Sequence, residues 1–414
     1  MTCKILIIGY VWPEPCSSGA GVRMMELINL FLEQKWQVTF ACPAAESDHM
    51  VDLEALGVVI QTIAVNDTAF DRFISETSPD VVLFDRFMME EQFGWRVERH
   101  APDALRMIEL IDLHLLRDAR HRIARASHRV EKEVDSEALH SEIAKREIAS
   151  IYRSDLTLLI SDYEMELLIE KFSISPSLLH LTPFMFDESH MADPVPSFDQ
   201  RAHFISIGNF RHAPNWDAVL WLKETIWPII RNSLPDAELH IYGSYPPKKA
   251  TALHKPAEGF HLMGWAEDAM EVMKRTKVSL APLRFGAGIK GKLADAMLAG
   301  TPSISTSVGA EAMHGELDWC GSIEDDPEAF AEAAITIYRD QQLWHRAQQS
   351  GFAIVRQRFN KERNGAALIQ RINDMRERLP SDRQENFIGA MLRHHHHRST
   401  EFMSRWIELK NSKP

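Results

Sequence analysis

Short runs of apolar residues alternate along the first half of the chain with stretches in which apolar positions recur every three or four residues. The runs are KILIIGY from Lys4, QVTFAC from Gln37, VVIQTIAV from Val58, DVVLF from Asp80 and ALRMIELI from Ala104, with a helical pattern from Gly21 to Gln34 after the first. Strands that alternate with helices predict a parallel sheet covered by helices on both faces. From Asp118 to Arg153 the pattern becomes charged and helical. A strand-like LTLLIS (Leu156–Ser161), a helix from Asp162 and SLLHLTPF ending at Phe184 then complete one doubly wound domain.

Residues Asp187–Arg201 are polar, contain two prolines and have no apolar period, which reads as a linker. A second series follows: HFISIG from His203, a helix from Asn215 to Ser233, AELHIYG from Ala237, GFHLMG from Gly259, a short helix over Ala266–Lys274, KVSLAPL (Lys277–Leu283), a helix over Ile289–Leu298, and TPSISTS from Thr301. The pattern predicts two Rossmann-like α/β domains, 1–188 and 202–350, facing each other across a cleft. Helices over 351–379 are expected to return to the first domain, and 380–414 reads as a solvated tail. Its four consecutive histidines, His394–His397, have no flanking partners at metal-ligand spacing.

At 414 residues the chain is too long for one ordinary core. A formal charge of −13 argues against a nucleic-acid partner, whose binding needs an excess of Lys and Arg. Four cysteines without C-x-x-C spacing suggest neither a zinc site nor a disulfide framework, which fits a reducing, cytoplasmic compartment. No apolar run approaches the ~18 residues of a membrane span, so any membrane contact is expected to be peripheral.

Candidate chemistry concentrates in Ala281–Gly300, where a strand runs through a glycine-rich turn into a helix. Gly286 and Gly288 let backbone approach a ligand, the helix N-terminus presents unpaired N–H groups, and Arg284, Lys290 and Lys292 add positive charge. That combination predicts an anion site. The plainer reading is a capped helix with a surface pair between Lys292 and Asp295. After strands in the first domain stand Gly19 and Gly21, the pair Asp85 and Arg86, and Asp112 with His114. Each could instead be a helix start, a local turn or a satisfied loop histidine. Arg120, Arg122, Arg125 and Arg129 suggest a basic face for anionic lipid, against the plainer reading of a solvated helix.

In combination and in order, these segments resemble the retaining, GT-B-fold nucleotide-sugar glycosyltransferases of glycosyltransferase family four. The resemblance reaches residue 375 and rests on Ile207-Gly208-Asn209-Phe210, His212-Ala213-Pro214-Asn215-Trp216-Asp217, His240-Ile241-Tyr242-Gly243, Met263-Gly264-Trp265, Ala281–Gly300 with Thr301-Pro302, Pro13–Arg23, and Asp112-Leu113-His114. It implies that the second domain holds a nucleoside-diphosphate sugar and the first holds a sugar, lipid-linked or protein acceptor. No metal or other cofactor is expected, since a helix N-terminus and cations can stabilise the departing diphosphate. His114, Lys290 and Arg284 are then expected to serve catalysis. Gly19, Gly21, Gly208, Asn209, Arg211, His212, Gly286, Ala287, Gly288, Ile289, Lys292 and Asp295 would contact the donor, and Asp85, Arg86 and Asp112 would lie on the acceptor side. Members commonly carry two glutamates with seven residues between them; here the second is Asp295 and the first position is Ala287. The expected role lies in polysaccharide or glycoconjugate synthesis at the inner face of a membrane. A sugar-nucleotide epimerase of the same fold, or a non-catalytic sugar-nucleotide binder, are the rival readings.

Overall fold

The computed structural model describes residues 2–127 and 129–411, the side chains of 395–397 and 411 apart. Seven parallel strands, β1 (Lys4–Ile8), β2 (Gln37–Cys42), β3 (Val59–Thr62), β4 (Val81–Asp85), β5 (Leu105–Leu110), β6 (Leu156–Leu159) and β7 (Leu179–Leu181), form the first sheet in the order β3-β2-β1-β4-β5-β6-β7. Alternation along β1 explains its apolar run. Leu6 and Ile8 enter the core on one face, while Ile5 and Ile7 enter the core on the other.

A second parallel sheet contains β8 (Ala202–Ile207), β9 (Leu239–Tyr242), β10 (Phe260–Gly264), β11 (Thr276–Ala281), β12 (Ser303–Ser305) and β13 (Gly321–Ile323), ordered β10-β9-β8-β11-β12-β13. In both sheets the strand order reverses beside the first strand, between β1 and β4 and between β8 and β11. Chain crossovers leave to opposite faces there, so a crevice opens beyond the carboxyl ends of these strands.

Several expectations shift. The Asn215–Ser233 helix begins at Ala213 and contains a π turn at Leu222–Ile226 before continuing as Trp227–Ser233. Pro228 lies just beyond; lacking an N–H and crowding the preceding turn, it accounts for the widened ladder. Charged Asp118–Arg153 is three helices, His114–Ser127, Ser136–Leu139 and Glu142–Arg153. The linker is fastened rather than loose: Ala192 N donates to Leu298 O at 3.0 Å, and buried Arg201 donates to Thr301 Oγ1 at 2.7 Å and Ala299 O at 2.8 Å.

After helices Pro327–Arg339 and Gln341–Arg358 the chain crosses back, with Phe186 N on Phe359 O and Lys361 N on Phe186 O. Helix Lys361–Glu385 then buries Leu368, Ile372, Met375 and Leu379 in the core under β1. Residues 380–414 are therefore not a solvated tail as expected. Residues 380–385 finish that helix, and Phe387–Asn411 is a further helix packed on Phe87–His100 and Glu142–Arg153. Charge pairing, not apolar period, holds it there, which is why the pattern of apolar residues concealed it. Of the histidine run, the side chains of His395–His397 lie outside the described residues. Among the described residues no helix is long and apolar enough to cross a membrane.

Candidate functional site

The loops that leave β1, β4, β5, β8 and β11 meet in one cleft between the sheets. After β1 the chain turns over Gly9–Ser18 into helix Gly19–Glu33, whose N-cap Ser18 accepts from Gly21 N at 3.1 Å. A Cβ on Gly21 would stand 2.4 Å from the Glu14 carbonyl group, so the loop folds back only because that residue is glycine. Buried Arg23 anchors the same helix to β5, donating to Glu109 Oε1 at 3.1 Å. The second domain holds this loop directly: Asn209 Nδ2 and Ser244 Oγ each donate to Ser17 O at 3.3 Å, Trp265 Nε1 to Cys16 O at 3.1 Å, and Tyr245 OH to Glu14 Oε2 at 3.0 Å.

Opposite it, the loop after β11 enters helix Gly291–Leu298, one residue pair later than its apolar period suggests, with Lys290 as N-cap. The two helix starts touch: a Cβ on Gly291 would lie 3.3 Å from the Cα of Gly19. Gly21 N is taken by Ser18 and Leu293 N by Lys290 O, and the earlier N–H groups of the two helices, at Gly19–Ala20 and Gly291–Lys292, lie side by side where the helix starts touch. Lys292 Nζ stands there, 2.6 Å from Asn215 Oδ1 and so close to Gly208 that a Cβ on that glycine would lie 2.8 Å from it. Burial depresses the Lys292 amine to about 7, with the Lys290 charge adding to the effect. One turn along, burial raises the Asp295 carboxyl to about 7, although part of its surface reaches solvent, and no side-chain hydrogen bond from a described residue reaches it.

Lys290 is placed differently from the expectation. Its Nζ folds back to donate to Gly288 O at 2.5 Å and Ala287 O at 3.2 Å, so it clasps the loop, and burial lowers its pKa. Arg284 turns away into a two-bond pair with Asp217, 2.8 and 2.5 Å, and packs near Trp221. It braces helix Ala213–Trp221. Arg211 stacks on the Tyr245 ring, 3.6 Å from its centroid, at the rim. Ala287 and Ile289, expected against the donor, point into apolar clusters shared with the first domain: Ala287 with Leu113 and Leu116, Ile289 with Ile160 and Phe184. Alanine at position 287 suits that apolar setting, where a carboxylate would be costly to desolvate. Gly288, at φ +66°, passes so near the β5 end that a Cβ would lie 2.7 Å from Ile111 O.

On the first-domain wall, Asp112 pairs with Arg117, and its Oδ1 lies 3.7 Å from His114 Nε2. Burial acts to raise the Asp112 carboxyl, but Arg117, His114 and His212 outweigh it and hold it near 2. His212, from the other domain, faces the same carboxylate. Burial lowers both His114 and His212 to about 4 despite Asp112, so both rings are neutral at pH 7. Phe87 packs edge-on against His114 at 5.3 Å. Asp85 accepts from Tyr10 N at 3.0 Å, while Arg86, at φ +71°, lies over the Tyr10 ring and within electrostatic reach of His114.

Four further residues organise the site. Glu147 caps the helix that starts at His114, accepting from His114 N at 3.0 Å and Leu115 N at 2.9 Å. Glu164 Oε1 joins the domains by accepting from Leu113 N at 3.2 Å and Gly288 N at 2.6 Å. Arg120, read in the sequence as part of a solvated helix with a lipid-facing basic surface as the alternative, is instead fully buried between the domains, bonded to Gly286 O at 3.0 Å and to both oxygens of Glu311 at 2.8 and 2.7 Å. Ser161 with Glu164 three residues later has capping-box spacing, a sequence signal for that helix start but not for a bond across domains. Nothing in the local pattern distinguishes Arg120 from the arginines around it.

Comparison with known proteins follows the same outline. No curated protein matches the chain. Solved structures match across nearly its whole length at low identity. HepE of Anabaena, in complex with UDP and glucose, is 13% identical with a TM-score of 0.67, covering 90% of this chain and 99% of that one. Sucrose-phosphate synthase from Thermosynechococcus elongatus is 14% identical at 0.64, over 90% and 99%. WaaG, a glycosyltransferase involved in lipopolysaccharide biosynthesis, is 13% identical at 0.60, over 88% and 98%. The fold is accordingly GT-B, and residues 201–340, which carry the Gly208–Asn215 and Arg284–Asp295 walls of the cleft, match the family of glycosyl transferases group 1.

Proposed function

We propose that the chain is a glycosyltransferase that moves a sugar from a nucleoside-diphosphate sugar to an acceptor hydroxyl with retention of anomeric configuration. The observation that carries this reading is the convergence of two helix N-termini, at Gly19 and Gly291, with the Lys292 amine beside them. That arrangement suits a diphosphate, and Asp295, without a side-chain partner one turn deeper, suits the ribose hydroxyls of the same nucleotide. The UDP-bound HepE and the group 1 match of residues 201–340 support the substrate class.

In this reading the glycosidic C–O bond to the leaving phosphate breaks as the acceptor oxygen bonds the same face of the anomeric carbon. The acceptor proton passes to the leaving phosphate oxygen. No protein base is required. Neutral His114 donates a hydrogen bond to a donor sugar hydroxyl, and Asp112, itself paired with Arg117, lies beside its ring. Lys292 and the two helix termini stabilise the charge on the departing diphosphate, the role a metal ion fills in other folds, so turnover is expected to survive chelation. WaaG lends support to an acceptor in a surface glycan or glycoconjugate.

The test is a panel of nucleoside-diphosphate sugars and sugar, lipid-linked and peptide acceptors, run with EDTA and followed by proton NMR of the anomeric product. Transfer with the donor's anomeric configuration kept is expected. An inverted product contradicts the retaining mechanism, and conversion of the donor to an epimer without acceptor replaces the proposal with an epimerase.

A further inference from the structure

The helix Phe387–Asn411 is amphipathic with its faces reversed. Its polar side chains point inward: Arg96 pairs with Glu408 and donates to Ser404 Oγ at 3.1 Å, Arg99 Nη1 lies 2.5 Å from Glu401 Oε1, and buried Arg393 lies 3.3 Å from Glu98. Asn386 Nδ2, at the residue just before the helix, donates to Tyr152 O at 2.8 Å. The apolar residues point outward. Phe387 is 74% exposed, Phe402 69% and Trp406 58%, joined by Ile388, Met391 and Met403, and none belongs to a core cluster. At ~100° per residue, Ile388, Met391, Phe402 and Trp406 fall within about 60° of one another on a helix about 35 Å long. Arg398, Arg405 and Lys410 are exposed on the same side; Glu408 is drawn inward by Arg96, and Glu401 pairs both with Arg99 beneath it and, at 2.6 Å, with Arg405.

We propose that this face is a membrane-docking surface, lying in the plane of a bilayer that carries anionic headgroups. Aromatic and aliphatic side chains spread along one stripe and flanked by arginine and lysine match the acyl–headgroup boundary, where rings insert and cations meet phosphate. The chain as a whole carries −13, so this stripe sets the orientation in which it approaches a negative surface. A second copy fits less well, because this face offers the exposed Arg398 and Lys410 of another copy no carboxylate that is not already paired. The inference is independent of the reaction in the cleft.

The full chain is sedimented with vesicles of phosphatidylcholine alone and of an equal mixture with phosphatidylglycerol, beside Phe402→Ser/Trp406→Ser, Arg398→Glu/Lys410→Glu, and Lys248→Glu/Lys249→Glu on the other domain. Expected is binding to the mixed vesicles that weakens with salt, falls at least about tenfold in each of the first two variants and is unchanged in the third. The exposed positions leave the thermal midpoint unmoved, and the charge pair tests the idea even if the apolar pair folds poorly. Absence of binding to mixed vesicles, or wild-type binding by both helix variants, overturns the proposal. A dimer in sedimentation equilibrium that Phe402→Ser/Trp406→Ser dissolves assigns the face to a second copy instead.

Discussion

Lys292 carries the most specific expectation of any single side chain. Its amine titrates near 7 in the open cleft, so it is largely neutral by pH 8, whereas a bound diphosphate favours the charged form. Binding must therefore take up a proton between about pH 7 and the higher pKa of the complex, and affinity falls as pH rises through that window. Calorimetry at pH 8 in two buffers of different ionisation enthalpy should report that uptake, and Lys292→Met should abolish it while weakening binding about 10- to 100-fold. Gly288 tests the seat of the loop. Gly288→Ala forces a side chain to φ +66° against Ile111 O, and a loss of about 1–3 kcal/mol in denaturant titration is expected. At this scale the sequence marked Asp112, His114 and Lys292 as residues that follow a strand or open a helix, and the structure places them on the walls of one cleft. The partners that Lys290 and Arg284 take, and the apolar setting of Ala287, were not readable. Whether a cation reaches ligand or clasps its own loop depends on rotamers and partners that spacing does not encode.

At the scale of elements, strands were readable because a doubly buried strand must be apolar throughout, and β1, β2 and β4 stand where their runs stand. Helix Lys361–Glu385 illustrates how a late segment supports an early domain: its Ile372 is fully buried under the first sheet. Ile372→Ala should cost about 2–5 kcal/mol in urea unfolding yet leave the affinity for nucleoside diphosphate unchanged, since it sits in the core under the first sheet rather than on the cleft wall formed by Lys292 and Asp295. An equal loss of affinity would mean that this helix shapes the cleft. Helix Phe387–Asn411 was missed because its buried face is charged. A pattern argument that equates apolar with inside reads such a helix backwards, and only the partners Arg96, Arg99 and Glu98 reveal which face is covered.

For the molecule as a whole, two sheets were expected and two are present, but their closeness was not foreseeable. Arg120, Glu164 and Gly288 tie the domains through buried bonds between residues far apart in sequence, and long-range polar pairing leaves no periodic trace. Arg120→Met should strand Glu311 as an uncompensated buried carboxylate, destabilising the joined domains by about 3–5 kcal/mol, and adding Glu311→Met should restore most of that loss. Equal thermal midpoints for the wild type and Arg120→Met would show that the pair holds no load across the cleft. The measurement that bears most directly on the central claim is isothermal titration of the full chain with UDP and the other common nucleoside diphosphates in EDTA, beside Lys292→Met and Asp295→Asn. Micromolar, chelator-resistant binding of one nucleotide, weakened at least about tenfold by both substitutions, is the predicted result. Binding of none of them, or equal binding by wild type and both variants, would contradict a diphosphate site between the helix starts at Gly19 and Gly291.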